Sequence, residues 1–227
     1  EAKVKAERFL ANRGIDIVDF MHAKRFGYER DSKIFLEYHL SAEKAGEILN
    51  STNGYYWRNR WFKPKNKEEV KVYYSTRGEL RTYIHQIPED AIGDSLTQSN
   101  ALNAAQFFLV GTMGIDIQDW ELIESKTEKL KNRWDHEFEW KERSFNIKES
   151  NHILTVKVQG DQIGYYNERI KLPETWRLEY EKIRSKNDLL STIGFTGLFI
   201  ALITIFIMIL VRARERDIQW KTAFTWS

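Results

Sequence analysis

"GIDIVDF" occupies Gly14–Phe20, and "GIDIQDW" occupies Gly114–Trp120. The same glycine, two isoleucines, two acids and a closing aromatic stand twice in one chain. Each copy ends a helical pattern. In "AKVKAERFLANRG", Val4, Ala6, Phe9, Leu10 and Arg13 fall at helical spacing. In "ALNAAQFFLVGTMG", Leu102, Ala105, Phe108, Leu109 and Met113 do the same. Glycine just past a helix ends it at least cost, because a residue without Cβ enters the left-handed region freely. Gly14 and Gly114 are therefore expected at positive φ, with Ile15, Ile17, Ile115 and Ile117 plugging a core. Ser95 and Gln98 have capping-box spacing ahead of the second helix.

Strand-like runs follow each motif. "KIFLEYHL", Lys33–Leu40, alternates Ile34, Leu36, Tyr38 and Leu40, and "RWDHEFEW", Arg133–Trp140, alternates Trp134, His136, Phe138 and Trp140. Then "VKVYYSTRGELRTYIHQIP" and "LTVKVQGDQIGYYNERIKLP" each read as two alternating strands about a glycine-containing turn. They close on the related endings "IPED" and "LPET". "SAEKAGEILNSTNG", Ser41–Gly54, is an extra helix and turn in the first copy alone. The reading is α+β: two repeated helix-plus-antiparallel-sheet units, over 1–90 and 98–175, followed by one transmembrane helix.

That helix is "IGFTGLFIALITIFIMILV", Ile193–Val211, which carries no charge. As a helix it spans roughly 28 Å, close to the hydrocarbon thickness of a bilayer. "WRLEYEKIRSKNDLL" ahead of it reads as a juxtamembrane stalk over 176–190. The transmembrane helix is expected over 191–211, with a basic cytoplasmic segment over 212–227. Arg212, Arg214 and Arg216 abut the apolar run, so the positive-inside rule puts the C-terminus in the cytoplasm and the repeats outside. Ser191, Gly194, Gly197 and Ala201 share one side of the helix, which suits close approach of another membrane helix.

The 227 residues include no Cys, which excludes disulfides, zinc thiolates and cysteine nucleophiles. Net charge is only +2, from 35 basic and 33 acidic residues, which gives little support to nucleic-acid binding as the main role. The chain opens at Glu1 without an initiating Met, as expected of a processed or partial chain.

Few residues point to chemistry. His22, His39, His85, His136 and His152 have no metal-ligand spacing. Asp135, His136 and Glu137 alternate faces on a strand and cannot converge on one ion. The same argument separates Glu68 from Glu69. "YYWRNRWFKPKNK", Tyr55–Lys67, interleaves aromatics with cations. It reads first as an amphipathic strand with Tyr55, Trp57 and Trp61 inward and Arg58 and Arg60 outward. A bilayer interface suits the composition too, and nucleic acid is the least favoured partner. There is no phosphate loop, Gly-x-Ser-x-Gly motif or catalytic triad.

The run from Arg58 to Trp120, "NRWDHEFEWKE" at Asn132–Glu142, and Val156–Leu190 resemble, in order, the long N-terminal region of bacterial CPBP-type intramembrane proteases. These form the CAAX-processing and bacteriocin-processing protease family. The resemblance implies that catalysis lies in a later multi-helix membrane domain, marked by Glu-Glu-x-x-x-Arg. Here Tyr73 stands where the Arg would follow Glu68–Glu69, so no catalytic, cofactor-binding or metal residue carries over. Any metal would belong to that missing domain. The implied role is a non-catalytic, membrane-anchored, extracytoplasmic portion that gates or recruits a protein or peptide substrate. Its partners would be the bilayer and the membrane helices of the protease domain. The alternative is a stand-alone anchored binding or peptidase-inhibitor module.

Overall fold

The computed structural model describes residues 1–214, so Arg216 and the rest of the expected basic tail lie outside the described residues. The chain divides into a compact unit, Glu1–Pro173, and a second unit from Glu174 onward.

The first unit is one eight-stranded antiparallel sheet with helices. Its elements run α1 (Ala2–Asn12), β1 (Met21–Tyr28), α2 (Arg30–His39), α3 (Ala42–Ser51), β2 (Tyr55–Phe62), β3 (Glu69–Ser75) and β4 (Leu80–Gln86). Then follow α4 (Gln98–Phe107), β5 (Trp120–Lys129), β6 (Trp134–Glu142), β7 (Asn151–Gln159) and β8 (Gln162–Lys171). The strand order, β1-β2-β3-β4-β8-β7-β6-β5, reads alike from either edge. Each half is a four-stranded meander, and the halves join edge to edge through β4 and β8 rather than face to face.

α1 and α4, with the turn that follows α4, supply Ala6, Leu10, Ala101, Ala105, Phe108 and Leu109 to a core built with Trp61, Val70, Val72, Trp140, Leu154 and Val156. At the seam Tyr83 pairs with Tyr166. Each ring receives a phenylalanine edge from one helix: Phe9 on Tyr83 at 5.1 Å and Phe108 on Tyr166 at 5.6 Å. Offset and edge contacts of this kind suit the aromatic quadrupole.

The "GIDI" turns match in detail. Gly14 has φ 70° and Gly114 φ 68°. The Ile15 amide donates to Leu10 O, and that of Ile115 to Leu109 O, both at 3.0 Å. The Asp16 and Asp116 carboxylates accept from Val18 N and Gln118 N, again both at 3.0 Å. All four isoleucines pack on the core. One difference is absorbed locally. Leu10 precedes Gly14 by four positions and Leu109 precedes Gly114 by five. The additional residue is taken up by a π turn, Phe108–Thr112, whose wider ring holds one more residue per turn.

Four expectations are corrected. "KIFLEYHL" is not a strand but most of α2. Its period-two pattern coincides with a helical one: Ser32, Phe35 and Leu36 are buried, Tyr38 is 76% exposed, and Lys33 and Glu37 pair one turn apart. The strand of that region is β1, an edge strand exposed on both faces, which gives no alternation to read. The first half's insertion is thus a helical hairpin, α2–α3, larger than Ser41–Gly54. The cap of α4 is Thr97, whose hydroxyl accepts from Asn100 N, not Ser95. In β2, Trp61 and Asn59 are buried but Trp57 is exposed, against Phe26 and Lys24 of the edge strand.

In the second unit, stalk and apolar segment form one uninterrupted helix, α5 (Glu174–Arg214), about 61 Å long at 1.5 Å per residue. An 18-residue window reaches a mean hydropathy of 2.7, and none of that window is buried. Its length and composition are those of a membrane anchor. Thr192, Thr196 and Thr204 donate to the carbonyls of Asp188, Thr192 and Ile200, so their hydroxyls need no water.

Candidate functional site

One buried charged cluster of the first unit forms where β6, β7 and β8 lie side by side. His152, on β7, shares the parity of Leu154 and Val156 and is 5% exposed. Its Nδ1 lies 2.7 Å from Glu142 Oε2 and its Nε2 3.0 Å from Glu168 Oε1. Two carboxylates at both ring nitrogens select the imidazolium, since only the charged ring donates twice. Burial alone would lower the His152 pKa, but the Glu142 and Glu168 hydrogen bonds and charges outweigh it and leave it raised. Glu142 is held below the ordinary carboxylate value, chiefly by its hydrogen bond to His152 against the opposing effect of burial. The Trp120 and Phe145 rings flank the imidazole at 5.1 and 5.6 Å.

The network continues across the molecule. Glu168 Oε2 accepts from Asn53 Nδ2 at 2.9 Å. Asn53, at φ 54°, ends α3, a position asparagine tolerates better than most residues. Arg77 Nη2 donates to Asn53 Oδ1, to Ser51 O and to Glu79 Oε2. Thus the helical hairpin of the first half is tied by one amide to the last strand of the second.

A cavity of about 480 Å³ opens beside this network. Phe9, Leu80, Met113, Ile115 and Trp120 make its apolar wall, and Arg77, Glu79, Asn53 and Glu168 its polar one. Tyr166 also lines it, fully buried, its hydroxyl without a hydrogen-bond partner. Burial raises the Tyr166 pKa well above its ordinary value. The arrangement suits binding better than proton transfer. A histidine donating from both nitrogens keeps no lone pair to act as a base.

The residues singled out in the sequence do not converge. Asp135 pairs with Arg133, Glu137 with Lys157, and the buried His136 contacts Leu96 O and Thr127. Glu68 contacts His85, while Glu69 pairs with Arg60 and Lys71. His22 lies against Asn59 and Trp61, and His39 against Phe35 and Tyr38. Three cations of Tyr55–Lys67 stand over nearby rings, Arg58 over Tyr56 and Tyr73, Lys63 over Phe20, and Arg60, itself exposed, over Phe62. The site that does form, Glu142, His152, Glu168, Asn53 and Arg77, has no spacing signature. Its members meet across strand pairs and across the seam, at separations of 10, 16 and 115 positions.

No protein-family model matches the chain, and neither the curated proteins nor the solved structures give a match.

Proposed function

We propose that the chain is the non-catalytic, membrane-anchored portion of an intramembrane peptidase, recruiting or gating substrate for an active site in membrane helices beyond it. The observation that carries this reading is α5. The chain runs through Pro173 into a helix of membrane length whose most apolar window is wholly exposed. The resemblance to the CPBP-type N-terminal region supplies the class of partner. The two halves of the sheet are read as repeats of one unit, lying outside the cytoplasm, with the Arg212 end inside. The 480 Å³ cavity beside His152 favours a second reading, a stand-alone anchored binding or inhibitor module.

In-cell photo-crosslinking from positions 194 and 197 separates the two readings. Capture of a multi-spanning peptidase helix supports the proposal. Capture of this chain alone supports the stand-alone module, and capture of nothing overturns the recruiting role. A reporter placed after Ser227 that is active only outside the cytoplasm overturns the orientation.

A further inference from the structure

The sheet ends in two strands of unequal character. β5 is blunted: its register with β6 slips between Leu122 and Glu124, and Glu121, Glu124, Lys126, Glu128 and Lys129 line it with both signs. Bulges and charged side chains are common protections of a free edge. β1 has no bulge, and its charge is of one sign. It keeps unbroken register with β2 from Met21 to Tyr28, and it contains no proline and no acid. Its charges are Lys24 and Arg25, both exposed, beside His22. Its apolar side chains are open as well: Met21 is 55%, Phe26 45% and Tyr28 44% exposed.

We infer that β1 captures an extended acidic peptide segment as a ninth strand. The unpaired amides and carbonyls of the edge supply the main-chain hydrogen bonds. Alternate apolar side chains of the guest would rest on Phe26 and Trp57, whose rings already meet edge to face at 5.2 Å. Its acids, on the opposite face, would meet Arg25. A second copy of the chain is a poor occupant: antiparallel pairing about the middle of β1 sets Lys24 against Arg25, and like charges opposite one another repel. The inference rests on reading the first unit as a recruiter of protein substrate. Binding is measured with no peptidase present, so failure of strand capture and failure of the peptidase reading show separately.

The test uses the full chain in nanodiscs and a fluorescent nine-residue peptide alternating Glu and Val. Its comparators are a Lys/Val peptide and a Glu/Val peptide methylated on every amide nitrogen. Expected are saturable binding of the Glu/Val peptide that weakens with salt, at least tenfold weaker binding of the other two, and slowed amide exchange confined to β1. The Lys24→Glu/Arg25→Glu variant, checked for an unchanged melting curve, should reverse the preference between the acidic and basic peptides. The inference is overturned if the methylated peptide binds equally, since strand pairing would then play no part. It is also overturned if β1 amides are already protected by the nanodisc lipid, or if protection follows protein concentration without peptide.

Discussion

At Gly14 and Gly114 an added Cβ would meet nothing within 4 Å, so only the backbone objects to a side chain there. Gly14→Val or Gly114→Val should therefore cost about 1 kcal/mol or more through positive φ alone, read as a lower melting temperature. Both isoleucine amides would keep their acceptors in a tolerant backbone, and an unshifted melt would refute the claim. His152 gives a pH-dependent prediction. Its folded pKa lies above the ordinary 6.5, so its stabilising contribution is whole below that value and disappears as pH rises through the raised one. The folded pKa of Glu142 lies below the ordinary 4.5, so its contribution is whole above that value and disappears as pH falls through the lowered one. The clamp is then strongest from mildly acidic pH to near neutrality and weakens on the alkaline side. Urea titrations across pH should show that alkaline decline, and His152→Phe should abolish it. At neutral pH the variant should lose about 3 kcal/mol, because the buried Glu168 and the half-buried Glu142 are left without their cation.

At the scale of the element, the π turn after α4 is an accommodation of one residue. Deleting Gly111 restores the Leu-to-Gly spacing of α1 and removes a poor helix former, so the variant should fold with a melting temperature no lower than the parent's. A drop of more than about 1 kcal/mol would give the π turn a purpose of its own. In α5, an added Cβ at Gly194 or Gly197 also meets nothing. Leucine at both positions should leave the helix intact and yet weaken co-purification of the membrane partner proposed above several-fold, since small residues admit a close neighbour. Elements with strong alternation, such as β3, β4, β6, β7 and β8, are legible in the sequence, as are α1, α4 and the apolar helix. β1 is not, because two exposed faces leave no period. α2 resembles a strand because Ile34, Leu36 and Tyr38 alternate, while its helical face is carried by a different set, Ser32, Phe35 and Leu36. The His152 site is illegible for a different reason. It is assembled by strand pairing, and nothing in a linear spacing records which strands lie side by side.

At the scale of the molecule, the seam between β4 and β8 makes each half the cover for the other's last strand. Residues 1–93 produced alone should therefore dimerise through β4, and adding residues 94–173 should dissolve the dimer. Sedimentation of a monomer under both conditions would contradict this. The same seam sets a timetable for biosynthesis. β4 is finished at Gln86 and β8 at Lys171, a difference of 85 residues. At roughly 5–20 residues per second the first half waits on the order of 4 to 17 s for its neighbour. Throughout that interval a growing chain displays a strand awaiting a partner, and the nearest suitable one belongs to the next chain along the same messenger. The pace of elongation between Gln86 and Lys171 thus helps to decide whether two chains emerge as separate proteins or exchange their β8 strands.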